Sequence, residues 1–572
     1  MRRSRAALLL GSAILAACSS TPSNKGTLAT LRDVPADTAD VRVEGGLDTA
    51  MQSYQKFLEE TPESAQSPEA MRRLADLKIE KQYGINGDGE LRELPAPPDL
   101  TDLQPAASAA QAKPAANVGG KAIGSEQELE KRANAEQRVA SAEDLLQGPQ
   151  LPADMADDLA KAGPLEAIQL YDKLLEKYPS HEHNDRVLYQ KARAYEELGR
   201  TVEAMQVMDQ LIAAYPSSKY ADELLFRRAE HFFVRRKYRD AEGSYERIVA
   251  MGPASEYYEL ALYKLGWSLY KQDMYDEALH QYVALLDYKV SIGYDFDDRH
   301  EVGDERRIAD TFDIISLSFS NLGGPQVVQE YFTANGKRGY EDRVYRNLGE
   351  FYLGKLRYHD AAKAYSTFIA QYPLHRRSPH FSMRVIEIYE TGRFPQLVLD
   401  SKKAFAGAYG LNAEYWRHFS VSESPEVISY LKSNLKDLAN HYHAQYQDQK
   451  LADQKSANYA EASRWYRDYI GSFRDDAATP GINYQLADLQ LEQKDYSAAA
   501  REYERTAYEY ASHDRAPAAG YAAIYAHREY LKAVSESNKL VARQETVASS
   551  LKFADTFPDH EHAAVVLGAD RR

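Results

Sequence analysis

The chain of 572 residues holds a single cysteine, Cys18, so neither a disulfide framework nor a thiolate metal cluster can form within it. After the first 17 residues no run of about 18 apolar residues occurs, the length a helix needs to cross a bilayer. Any membrane attachment therefore has to come from the N-terminus. Glycine-rich turns following β-branched strands are missing, which leaves no nucleophile elbow, phosphate loop or dinucleotide fingerprint. Positive charge is in the minority: the net charge is −16, and loss of residues 1–17 with Arg2, Arg3 and Arg5 makes it −19. A surface that acidic repels phosphates, so no nucleic-acid partner is expected, and a basic protein or peptide is favoured. Tyrosine is plentiful, 42 copies against 17 Phe and 3 Trp, so something in the architecture uses it repeatedly.

The N-terminus carries an address. Arg2, Arg3 and Arg5 form a positive region, Ala6 to Ala16 an apolar one too short to span, and small residues follow, the pattern of a secretory signal peptide. Leu15-Ala16-Ala17-Cys18 then resembles a bacterial lipobox, which implies cleavage before Cys18 and acylation (palmitate and related chains) of that residue. In the lipoproteins this resembles, an Asp after the cysteine favours retention at the inner membrane. Ser19 therefore points to the outer membrane, with the protein facing the periplasm. Each buried methylene adds roughly 0.8 kcal/mol, so acyl chains alone would hold the protein there. Residues 18–45, rich in Ser, Thr, Pro and Asp, read as a flexible tether.

Self-similarity dominates the rest. Ala167, Ala204, Ala241 and Ala278 recur at intervals of 37 residues. Four residues after each stands Tyr171, Met208, Tyr245 or Tyr282, and seven after it Leu174, Leu211, Ile248 or Leu285, which puts three side chains on one helical stripe. Pro179, Pro216 and Pro253 close three of these helices. Twelve residues before the alanine lies another small residue, Ala192, Ala229 or Gly266, flanked by large apolar ones, so each unit reads as an antiparallel helix pair. Ala50 with Tyr54, Phe57 and Pro62 forms a further copy, Ala361 with Leu348-Gly349, Tyr352 and Tyr365 another that is nearly complete, and weaker copies stand at Ala462 and Ala499.

That constellation resembles the tetratricopeptide repeat, with Gly266, Trp267, Ala278 and Tyr282 keeping its small-to-small spacing. The run Tyr215-Pro216-Ser217-Ser218-Lys219-Tyr220-Ala221 is similar to the bacterial periplasmic subclass that includes the barrel-assembly lipoprotein and the Tol-Pal accessory protein. The fold expected is therefore all-α, a solenoid of helical hairpins with a disordered tether and linker. Its layout is a signal peptide over 1–17, the tether over 18–45, a helical pair over 46–84, and an Ala/Pro-rich linker with an exposed helix over 85–149. The main array follows over 150–415 and a degenerate array over 416–572.

From Ala278 to Ala361 the interval is 83 residues instead of 74, so about nine are inserted, at the acidic and aromatic stretch Tyr294, Asp295, Phe296, Asp297 and Asp298. A loop inserted in a solenoid sits on one face and often binds, which makes these five the candidate partner-binding residues. Ala167, Ala204, Ala241, Ala278, Ala361, Gly266 and Gly349 are the candidate packing residues. The acidic stretch lacks the ligand alternation of a calcium loop, and His181-Glu182-His183 and His560-Glu561-His562 put their imidazoles at i, i+2, which do not face one another on a helix. No metal, cofactor or catalytic residue is assigned. The function expected is an outer-membrane-anchored periplasmic scaffold, not an enzyme, that binds periplasmic or outer-membrane proteins, its oligomeric state left open. The settings that the resemblance implies are outer-membrane assembly, Tol-Pal and peptidoglycan coordination, or an envelope motility or transport complex. The alternative is a helical-toroid enzyme acting on cell-wall glycan, which would need two carboxylates facing one cleft.

Overall fold

The computed structural model describes residues 46–83, 125–135 and 153–569. Cys18, the signal segment, the whole 18–45 tether and most of the 85–149 linker lie outside the described residues. Among those described every regular element is helical. In chain order they are α1 (Gly46–Glu60), α2 (Ser67–Tyr83), α3 (Glu126–Ala135), α4 (Ala153–Lys177), α5 (Asn184–Glu197), α6 (Thr201–Ala214), α7 (Ala221–Val234) and α8 (Tyr238–Met251). Then come α9 (Tyr258–Tyr270), α10 (Tyr275–Ser291), α11 (Val302–Leu322), α12 (Pro325–Asn335), α13 (Glu341–Gly354), α14 (Tyr358–Gln371), α15 (Ser378–Thr391) and α16 (Pro395–Tyr409). The last are α17 (Pro425–Gln447), α18 (Lys455–Ser472), α19 (Thr479–Glu492), α20 (Tyr496–Tyr508), α21 (Ala516–Ala533), α22 (Lys539–Thr556) and α23 (Ala563–Ala569). None of the described helices is long and apolar enough to cross a membrane. The chain divides into two compact units, one built from residues up to 105 with 149–207, the other from 106–148 with 208–572.

In the first unit α2 packs against α4, although 69 residues separate them in sequence. Ala75, Ala167, Tyr171, Leu174 and Val187 form its apolar cluster. The Tyr171 hydroxyl donates to Asp76 at 2.7 Å, and Arg72, almost fully buried, lies between Glu69 and Asp76. The helix pair expected over 46–84 therefore does more than close on itself: α2 is also the neighbour of α4, while α1 buries no side chain completely.

In the second unit one contact recurs. A tyrosine of the second helix in a pair lies over the small residue 16 positions earlier, on the first helix. Gly266 faces Tyr282 and Gly349 faces Tyr365 so closely that a Cβ on either glycine would fall 2.6 or 2.5 Å from the ring. The tyrosine hydroxyl then donates to the carboxylate 15 positions earlier: Tyr245 to Glu230, Tyr365 to Glu350 at 2.5 Å, Tyr503 to Asp488 at 2.5 Å. Burying a phenol ring keeps its polar tip in need of a partner, and the adjacent acid supplies it. Where Trp267 stands in the acid's place, its Nε1 and the Tyr282 hydroxyl are both buried without a protein partner. Ala167, Ala204, Ala241, Ala278 and Ala361 are each fully buried, as their packing role demands.

The turn inside several pairs bends through a left-handed residue at a fixed place. Gly199, Arg236 and Asp273 follow one another at 37-residue intervals with φ of 68, 58 and 62°, and Leu356 and Arg393 repeat the device. The interval from Ala278 to Ala361 holds two full pairs. Its extra residues go into α10 at 17 residues, α11 at 21 and the loop 292–301, against 14 in most helices of the array. Around residue 415, where the repeats degenerate, Tyr415 is buried in one cluster with Phe405, Leu431 and Tyr466.

Candidate functional site

The loop 292–301 lies between α10 and α11, and its aromatic residues turn inward. Phe296 meets Phe312 and Tyr340 edge-on at 5.8 and 5.9 Å, while Tyr294 stacks on His300 at 3.7 Å. Asp297 pairs with Arg343 at 2.7 Å, and hydrogen bonding and charge from that guanidinium hold its carboxyl below the usual carboxylate range. Asp298 is exposed. Tyr294, Asp295, Phe296 and Asp297 line a cavity of about 640 Å³ together with Lys337, Arg338, Arg343 and Arg376. The loop is acidic in sequence, but the hollow beside it carries mixed charge because the α12–α13 connection, α13 and the α14–α15 connection bring cations to it.

A second site was not legible as one. The helix expected to be exposed within 126–147 is described over 126–135, and there α3 is docked: Leu129 and Ala133 are 0% exposed. Ser125 and Glu128 form a capping box, Ser125 Oγ accepting from the Glu128 amide at 3.3 Å and Glu128 Oε2 from the Ser125 amide at 2.9 Å. Its acidic end meets a cationic end of the groove. Lys271 donates to Glu126 at 2.8 Å and to Glu130 at 2.9 Å, while Arg236 and the Tyr238 hydroxyl reach Glu130 at 3.3 and 3.2 Å. Burial would raise the Glu130 carboxyl, but hydrogen bonding and charge from Lys271 outweigh it and leave its pKa lowered.

At the other end Arg132 grips both oxygens of Asp310 at 2.8 and 3.0 Å. Lys264, buried beneath α3, donates to the Ala133 carbonyl at 2.6 Å, pairs with Glu230 at 3.3 Å and lies over the Phe233 ring. A cation at a helix C-terminus meets the negative end of its dipole. Burial, and then the neighbouring Asp310 charge, push the Asp313 carboxyl up to about 7. The sequence did hold a sign of this arrangement: the capping box, and Glu126, Leu129, Glu130 and Ala133 at i, i+3, i+4 and i+7. What it could not show is the surface that receives this stripe.

The His-Glu-His triplets stay at connections, the rings of His181 and His183 5.5 Å apart, those of His560 and His562 likewise. Among the described residues no group of three or more His, Cys, Asp or Glu is placed to hold a metal ion.

Two tetratricopeptide-repeat family models match the chain, over residues 164–225 and 226–291. The chain carries tetratricopeptide repeats. Similar solved structures include "Structure of Naa15/Naa10 bound to HypK-THB", 11% identical with a TM-score of 0.25, which covers 88% of this chain and 67% of that one. Another is a tetratricopeptide repeat protein from Parabacteroides merdae ATCC 43184, 13% identical with a TM-score of 0.15, covering 61% of this chain and 99% of that one. No curated protein matches. Repeats of this kind bind protein partners on the surfaces that their helix pairs present.

Proposed function

We propose that this protein is a lipid-anchored scaffold of the cell envelope, held to the outer membrane through acylated Cys18 and facing the periplasm, whose tetratricopeptide repeats bind protein partners of an envelope complex. The observation that carries the binding half is α3: a helix seated on repeat helices of the second unit, anchored by Leu129 and by ion pairs at both ends. Laying a helix into a groove is a recurrent mode of peptide recognition. The anchor rests on the positive segment, the short apolar segment and Leu15-Ala16-Ala17-Cys18. The settings that suit it are outer-membrane assembly, Tol-Pal and peptidoglycan coordination, or an envelope motility or transport complex. In cells fed a labelled fatty acid, the full chain is expected to incorporate label and sediment with outer membranes, and Cys18→Ser to do neither. An unlabelled, soluble wild-type protein would overturn the anchor.

A further inference from the structure

The groove that holds α3 is built for a helix, and α3 is a weakly committed occupant. A helix of 10 residues is marginal in water on its own, so its order depends on the surface beneath it. It is joined to the flanking described helices only through 41 residues on one side (84–124) and 17 on the other (136–152). Its fully buried apolar side chains among the described residues are Leu129 and Ala133, and of the cations around them Arg132 is 35% exposed and Arg236 75%, while Lys271 at 16% is more enclosed. The open pair of Arg236 contributes little.

The groove itself is fixed by the repeats. Lys264 and Lys271 stand on or just after α9, Arg236 in the turn before α8 and Tyr238 at its first position, Asp310 on α11. Together they impose one pattern on any occupant: two acids four residues apart, an apolar residue just before the second, an arginine two after it and a small residue three after it. In α3 these are Glu126, Glu130, Leu129, Arg132 and Ala133. The direction is also imposed, because Lys264 waits for a C-terminal carbonyl and Lys271 for acids of the first turns.

We propose that this groove is the binding site for an amphipathic helix of a partner protein bearing the same charge pattern, and that α3 fills it in cis as a tethered competitor. Covalent attachment to the same chain supplies α3 at an effective concentration on the order of millimolar, enough to shield a groove whose affinity for an isolated helix is modest and to yield to a partner that binds better. This deepens the scaffold reading by naming the site and the chemistry of its partner.

The test uses the purified full chain and a fluorescein-labelled peptide of its own residues 124–137, read by polarisation. Against the Leu129→Asp, Arg132→Glu double variant the peptide is expected to bind at least ten-fold tighter than against the intact chain. Adding Lys271→Glu should weaken it ten-fold again. Equal binding to intact and double-variant chains, or no binding to a double variant that melts like the intact chain, overturns the proposal. The intact chain gives a second measurement that needs no variant: excess peptide should accelerate hydrogen exchange at the amides of residues 129–135, and unchanged exchange contradicts it. Both assays use purified components, so a missing envelope partner or an unlipidated Cys18 would leave them untouched, and their failure would leave the anchor standing.

Discussion

Gly349 and Tyr365 show at the scale of single residues why small and large alternate through this chain. The ring cannot retreat from an added methyl, because its hydroxyl is tied to Glu350 and Arg384 holds that carboxylate through both oxygens at 2.8 Å. Gly349→Ala is therefore expected to destabilise the protein by about 1–2 kcal/mol in urea titration, overpacking outweighing the better helix propensity of alanine. Gly243, inside α8 with nothing within 4 Å of its would-be Cβ, is the control: alanine there should gain about 0.5–1 kcal/mol. Leu356 is 70% exposed with φ of 58°, and a left-handed backbone costs an L-residue roughly 1–2 kcal/mol. Leu356→Gly should stabilise by about 0.5–1 kcal/mol once glycine's added chain entropy is subtracted, and a loss on thermal melting would count against the turn assignment. The small positions and the tyrosines were legible in sequence because the 37-residue interval repeats them. The carboxylate beneath each hydroxyl was not, since one acid among 86 Asp and Glu carries no mark of its partner.

At the scale of elements, helix periodicity located most pairs but could not say which helix faces which. The pairing of α2 with α4 bridges 69 residues of intervening chain, and no local pattern encodes it. The 126–147 segment read as an exposed helix because its outer face is charged, and its buried stripe is only Leu129 and Ala133 wide. Sequence placed the insertion at 294–298, whereas the extra residues are shared among α10, α11 and the loop between them, and the Arg343 that pairs with Asp297 lies on α13, 46 residues away. The seam of α3 and α11 also sets a pH dependence. Asp313 has a pKa of about 7 when folded, pushed up by burial and then by Asp310, against an ordinary value near 4 in the unfolded chain. Between these values the folded chain holds the extra proton, so this contribution is fully present below about pH 4, declines as pH rises, and is gone once pH passes about 7. Asp313→Asn should keep that stability: the drop between pH 5 and pH 8 is expected to shrink by about 2 kcal/mol, allowing for partial solvation of the site. Parallel pH profiles for the two proteins would sink the assignment.

For the molecule as a whole, the 37-residue recurrence of small and large apolar residues pointed to the helical-hairpin class, and the described residues are helical throughout their regular elements. The partner was not legible, because recognition depends on charges that converge from separate repeats: Arg236, Lys264, Lys271 and Asp310 span 75 residues and meet only around one helix. A scaffold that works through this groove makes a sharp demand on its partners. The most direct measurement is quantitative co-purification from detergent-solubilised envelopes with the full-length wild type, Leu129→Asp and Lys271→Glu, all at equal expression. The account predicts at least one envelope protein that is enriched with wild type, more abundant with Leu129→Asp and depleted with Lys271→Glu. Identical sets of co-purified proteins across the three would contradict it.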